Sequence, residues 1–286
     1  MTSNRPIDAS RRDFLNSAVG VGFALAVQPI AASAIITDGA GLSAGAVEIP
    51  TGPAIMPGYA AKPAAAKPAA ASGPLPVVLV VQEIFGVHEH IRDLCRRLAK
   101  AGYLAVAPEL YFRQGDPSKV ASISELVSGL VSKVPDSQVL ADLDATLAWA
   151  GGNGGDAKRA AITGFCWGGR QVWLYAAHNP RIKAGVAWYG RLQGEASANT
   201  PRQPLDIVAQ LHAPVLGLYG GLDKGIPLES VDKMKAALRA AGKPSEIVVY
   251  PEADHGFNAD YRPSYNAAAA NDGWQRMLQW FKQHGA

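Results

Sequence analysis

An α/β architecture, a mostly parallel sheet with helices on both faces, is what the sequence predicts, and three observations predict it. Apolar β-branched runs such as Val77-Val78-Leu79-Val80-Val81 show no alternation, as expected of strands buried on both faces. Stretches with apolar residues at helical spacing lie between these runs, and strands alternating with helices give a parallel sheet. Finally, 286 residues that are 48% hydrophobic are enough for one sizeable core.

The elements follow in order. Residues 1–34 read as an export signal. Arg11 and Arg12 precede Phe14 and Leu15, a run of small and apolar residues follows, and Ala32-Ser33-Ala34 forms an A-x-A cleavage site. The arginine pair is similar to a twin-arginine signal. The expectation is therefore an exported, periplasmic protein with no stable membrane association once the signal is removed. Residues 35–286 read as a single domain. AVEIP and IMPGYAAKP are two short strands of a first hairpin, and 60–76, rich in Ala, Pro and Lys, is a surface loop. After the strand VVLVVQE, a helix places Ile91, Leu94, Cys95, Leu98 and Ala99 on one face, with Gly102 as its C-terminal stop. YLAVAPEL is the next strand. Leu140, Leu143 and Leu147 mark a helix with Asp136 or Ser137 as cap. AAITGF, AGVAWYG, PVLGLYG and EIVVYP are further strands. GGRQVWLYAAH, the Val231–Ala241 segment and the Trp274–Phe281 segment are helices.

Charge excludes little beyond nucleic acid. The net charge is +3, 18% of residues are charged, and no basic block or stripe appears, which argues against a nucleic-acid partner. His88 and His90, beside Glu83 and Glu89, lack the three or four convergent ligands a metal needs, so no metal is expected. His178, His212 and His284 read as surface or helix-end residues.

The chemistry concentrates at Gly164-Phe165-Cys166-Trp167-Gly168, a G-x-C-x-G between strand and helix. A residue on such a turn is lifted off the sheet edge, and its glycine neighbours avoid clashes. The sulfur would sit at a helix N-terminus, and the Trp167 N–H would face a developing oxyanion. A thiol nucleophile needs a base, and the base needs an orienting acid. Asp223 and His255 follow in that order, each on a loop at the carboxyl end of a strand, where open α/β sheets bind ligands. Asp254 is the rival acid. Glu83 ends its strand and would either cap the next helix or approach the thiol and take its proton, with the Ile84 N–H as second oxyanion donor. Cys95, on an apolar stripe, reads as core packing rather than as the disulfide partner of Cys166.

QEIFG, PELYFRQGD, GFCWGGR, YGGLDKGIP and EADHGF, in this order, resemble the dienelactone hydrolase family over roughly residues 45–284. The resemblance implies an α/β-hydrolase fold, with Cys166 as nucleophile, His255 as base, Asp223 as its partner and Glu83 controlling the thiol's protonation. It also implies an oxyanion hole from Ile84 and Trp167, no cofactor, and hydrolysis of an unsaturated lactone carrying a carboxylate. Two family arginines that grip this carboxylate are unmatched: Ala259 stands four residues after His255, and DPSKVASISELVSGL offers only Lys119. Arg262 and Arg113 remain as candidate substrate-binding residues, with Trp188 and Tyr189 shaping a larger apolar pocket. The expected activity is cleavage of a lactone or small ester. The alternatives are a general carboxylesterase and a non-catalytic exported binding protein.

Overall fold

The structure is a computed structural model that describes residues 34–64 and 73–286. The expected signal at 1–34 lies outside these residues except for Ala34, as do residues 65–72 of the expected loop at 60–76. That loop is shorter than expected. The strand before it runs through Pro63 and the next begins at Leu75, because Ala60, Ala61, Lys62 and Pro63 pair with β1.

Among the described residues, eight strands form one sheet in the order β1-β2-β4-β3-β5-β6-β7-β8. β1 (Leu42–Thr51) and β2 (Ala54–Pro63) form the first hairpin. It is longer than its sequence pattern suggested and joins β4 (Leu104–Pro108) antiparallel. From β4 onward every pairing is parallel: β3 (Leu75–Val81), β5 (Gly155–Phe165), β6 (Ile182–Trp188), β7 (Val215–Gly220) and β8 (Glu246–Tyr250). Successive strand side chains point to opposite faces. Val77 through Val81 are all fully buried, so both faces of β3 are covered.

The covering helices are α1 (Glu89–Lys100), α2 (Ile123–Gly129), α3 (Asp136–Gly152), α4 (Trp167–His178), α5 (Leu228–Ala240) and α6 (Ala267–Gln283). None of the described helices is long and apolar enough to cross a membrane. Cys95 lies in the core on the buried stripe of α1 and is unpaired, as is Cys166. α1 is followed by Gly102 at φ +98, a conformation that favours glycine. α3 departs from expectation at its start. Pro135 occupies the cap position, and Asp136, in the first turn, turns its carboxylate to Arg170 of α4 in a two-pronged, buried ion pair at 2.6 and 2.8 Å.

That pair braces α4, which leaves β5 in a very close approach to its neighbours. A Cβ on Gly168 would lie 2.4 Å from the Gln82 carbonyl oxygen and 2.5 Å from that of Val81. A Cβ on Gly169 would lie 2.5 Å from the Trp188 carbonyl oxygen, and one on Gly190 would lie 2.3 Å from the Gly169 carbonyl carbon. These are backbone atoms of β3, β6 and the helix start, which cannot rotate aside. Gly168→Ala is therefore expected to lower the unfolding free energy by about 2 kcal/mol or more, in the range of overpacking at rigid sites. Urea denaturation of wild type and variant checks this; an unchanged midpoint would contradict the close approach.

Candidate active site

Cys166 joins β5 to α4 with φ +56 and ψ −113. A non-glycine residue there is strained by roughly 1–3 kcal/mol, and such strain persists only where the surroundings over-determine it. Here they do. The Cys166 N–H donates to the Trp188 carbonyl at 3.0 Å, its own carbonyl accepts from Gly169 at 3.1 Å, and a Cβ on Gly164 would meet the Gly168 oxygen at 2.4 Å. The sulfur is thereby held half-buried at the N-terminus of a 12-residue helix, where the helix dipole favours negative charge.

Asp223 follows β7 and His255 follows β8. The Asp223 carboxylate is buried, and its Oδ1 accepts the N–H groups of Gly225 at 2.8 Å and Ile226 at 3.1 Å. Those bonds fix its rotamer and aim Oδ2 at His255 Nδ1, 2.7 Å away. The same imidazole lies within electrostatic reach of the Cys166 sulfur. Burial by itself would lower the His255 pKa. Negative charge on Cys166 and the bond to Asp223 outweigh it and push the pKa up to about 10. Asp254 is no rival: its carboxylate is exposed and accepts the His255 backbone N–H at 2.6 Å.

Glu83 lies fully buried at the end of β3. It neither caps α1, whose start has no side-chain cap, nor bonds to the thiol. Its Oε2 accepts from the Tyr261 hydroxyl and lies 3.4 Å from His88 Nε2, while Oε1 lies 3.5 Å from Arg262 Nη2. Burial would raise its pKa, but the Arg262 charge and His88 override that and hold the carboxyl well below the usual carboxylate range. The histidine pair that could suggest a metal is accounted for differently. His88 faces Glu83, and His90 Nδ1 meets Asp260 Oδ1 at 3.2 Å, with the Tyr261 ring edge-on to both imidazoles. Among the described residues no group of three or more His, Cys, Asp or Glu could hold a metal ion.

The backbone N–H groups of Ile84 and Trp167 lie at the ends of β3 and the start of α4, and neither has a backbone acceptor among the described residues. The substrate-binding candidates divide. Arg113 is turned away: it grips Asp142 at 2.6 and 3.0 Å, donates to Thr51 and stacks on Phe112. Trp188 is core, stacked on Phe165 and pressed against Gly273 of α6. Tyr189 and Arg262 do reach the cluster. Tyr189, at φ +39, sets its ring edge-on to His255 with centroids 5.1 Å apart. Arg262 lies over Phe85 and bonds the Tyr261 hydroxyl at 3.2 Å. Ala259 is buried. Sequence reasoning missed Tyr111 and Tyr261, and weighed His88 only as a metal ligand. Tyr111, edge-on to Trp167 at 5.0 Å, lies three residues after β4 in PELYF, and its place beyond a strand's carboxyl end was a usable signal. Tyr261 lies in an aperiodic loop and carried none; the nearness of His88 to Glu83 in the sequence was noted, but not their pairing.

Comparison with known proteins gives the family and the fold. Residues 56–285 match the "Dienelactone hydrolase family". The chain is 64% identical over 264 residues to a "Putative carboxymethylenebutenolidase" of Escherichia coli O157:H7, covering 92% of this chain and 96% of that one. It is 60% identical over 278 residues to a protein of the same name from Methylorubrum extorquens, covering 96% and 94%. The crystal structure of a "Putative Dienelactone Hydrolase" from Klebsiella pneumoniae superposes with a TM-score of 0.82 at 64% identity, covering 85% of this chain and 99% of that one. The chain is thus an α/β-hydrolase enzyme and belongs to the dienelactone hydrolase family.

Proposed function

We propose that this hydrolase cleaves a lactone or small carboxylic ester through Cys166, His255 and Asp223, by way of a thioester. The observation that carries the reading is the Asp223 carboxylate 2.7 Å from His255 Nδ1, on the strand-end loop that follows β8, with Cys166 on its strained turn in electrostatic reach of the same imidazole. The deprotonated sulfur attacks the carbonyl carbon, and the carbonyl electrons move onto oxygen, opposite the N–H groups of Ile84 and Trp167. Collapse of this oxyanion breaks the acyl C–O bond. The departing oxygen takes the proton from the His255 imidazolium, which Asp223 has oriented and stabilised. Water then gives a proton to His255 and attacks the thioester, and the sulfur leaves as thiolate. In this reading Glu83 keeps its charge turned to Tyr261 and Arg262, so that His255 alone exchanges protons with the sulfur. The N-terminal pattern at Arg11-Arg12 and Ala32-Ser33-Ala34 supports an exported, periplasmic enzyme.

The second reading is a general carboxylesterase. Buried Ala259, and Arg113 committed to Asp142, favour it, because neither offers a cation to a substrate carboxylate.

Cys166→Ala is expected to lose at least about a thousandfold in kcat on a chromogenic short-chain ester, as removal of such nucleophiles does; unchanged turnover would refute the assignment. A second expectation concerns protons. The folded His255 pKa lies above its ordinary value of 6.5, so its contribution to stability is complete below pH 6.5 and is lost as pH rises through about 10. In an NMR titration the imidazole should titrate far above its ordinary range in wild type, and the midpoint should fall in Cys166→Ala, which removes the strongest raising influence. A midpoint indifferent to that substitution would separate the two side chains. Mass spectrometry of the enzyme from a periplasmic fraction should give a chain beginning near residue 35; an intact N-terminus confined to the cytoplasm would exclude export.

A further inference from the structure

Before β1 begins, residues 37–40 are tied to α1 at both ends. Thr37, half-buried, donates its backbone N–H to Asp93 Oδ1 at 2.6 Å, and its carbonyl accepts from Arg96 Nε at 3.1 Å. Lys100 Nζ, at the far end of the helix, donates to the Ala40 carbonyl at 2.7 Å and to Asp38 at 3.1 Å. The carboxylate that Thr37 meets is buried, Asp93 being 1% exposed. Besides Thr37 it accepts Arg96 Nη2 at 2.9 Å on Oδ1 and Arg97 Nε at 2.6 Å on Oδ2. Two adjacent arginines thus converge on one carboxylate. The Thr37 carbonyl and the Tyr59 hydroxyl of β2 take up donors of Arg96 that Asp93 does not.

The contacts continue to the loop that carries His255. The Arg97 guanidinium is planar, so its bond to Asp93 fixes where Nη2 points, and Nη2 donates to Asp260 Oδ2 at 2.8 Å. His90, on the same helix, meets the other oxygen of Asp260 at 3.2 Å. Both oxygens of this buried carboxylate are therefore held by α1. Asp260 lies in two consecutive turns that begin beside His255. The Ala259 N–H donates to the Gly256 carbonyl at 2.8 Å, and the Arg262 N–H donates to the Ala259 carbonyl at 2.9 Å. Gly256 turns the chain with φ +78, immediately after His255. A shift of Asp260 is passed through these short turns to the backbone of His255.

We propose that residues 37–40 form a strap that positions His255, acting through Asp93, Arg97 and Asp260. The arginines that hold Asp93 belong to its own helix, whereas Thr37 brings a donor from outside it. The strap also covers Asp93, and charge pairs kept from water hold their geometry more firmly than solvated ones. Asp93, Arg97 and Asp260 are then positioning residues, and none of them touches substrate. The inference rests on the reading in which His255 is the base that serves Cys166. Cleavage after Ala34 would leave the strap intact.

Thr37 acts mainly through its backbone, so a pair of substitutions isolates the strap. Thr37→Pro removes the N–H that Asp93 accepts, and Thr37→Ala keeps it. On a chromogenic short-chain ester, Thr37→Pro should lower kcat about three- to thirtyfold with KM within about twofold of wild type, the size of coupling carried through such networks. Thr37→Ala should match wild type. The NMR signal of the proton between His255 Nδ1 and Asp223 reads the imidazole's geometry without turnover. It should shift in Thr37→Pro and stay in place in Thr37→Ala. Asp260→Asn should reproduce the loss in kcat, and the double variant with Thr37→Pro should be no worse than Asp260→Asn alone, because both act on one chain of contacts. Equal kinetics for Thr37→Pro and Thr37→Ala, an unmoved imidazole signal, or additive losses in the double variant overturns the proposal. If Asp260→Asn does not fold, the Thr37 pair decides. A wild type that hydrolyses no ester, with the imidazole signal shifting as expected, would count against the cleavage reading and leave the strap standing.

Discussion

The backbone of Cys166 is the constraint on which the rest of the site depends. Its positive φ is unfavourable for an L-residue, and nothing in its own side chain offsets that. The conformation is held by the sheet on one side and the helix on the other. The helix start can approach β3 and β6 only because Gly164, Gly168, Gly169 and Gly190 have no Cβ to collide with neighbouring backbone. The buried Asp136–Arg170 pair anchors the same helix from its far side. Folding free energy thus supports a strained turn, and the turn presents the sulfur to an imidazole brought from β8.

Around that turn the electrostatics separate into two units. Asp223, His255 and Cys166 form one unit, in which the carboxylate and the sulfur together raise the imidazole's pKa against its burial. Glu83, Arg262, Tyr261 and His88 form a second, buried unit whose carboxylate is held ionised by its partners. Keeping the units apart matters physically. A second carboxylate beside the sulfur would oppose its negative charge, whereas one tied to a guanidinium and a phenol largely cancels. Through Tyr261 the second unit also connects to His90, Asp260, Arg97 and Asp93, so the loop carrying His255 is fastened to α1 by hydrogen bonds from His90 and Arg97 to Asp260. Such charged contacts add little net stability but fix geometry, and geometry is what proton transfer needs.

The sequence by itself determined the alternation of strands and helices, because apolar runs and helical spacing are local consequences of burial. It determined the G-x-C-x-G turn, because only glycines fit beside a strained strand-to-helix junction. It also determined the order Cys166, Asp223, His255 on strand-end loops. Tertiary structure alone decided what depends on distances between residues far apart in the chain. It turned Glu83 toward Arg262 and Tyr261, 178 or more residues away, instead of toward the helix that follows it. It sent Asp136 to Arg170 instead of to its own helix cap, and it committed Arg113 to Asp142. A charged side chain's partner is set by which opposite charge the fold buries beside it, and no local pattern encodes that.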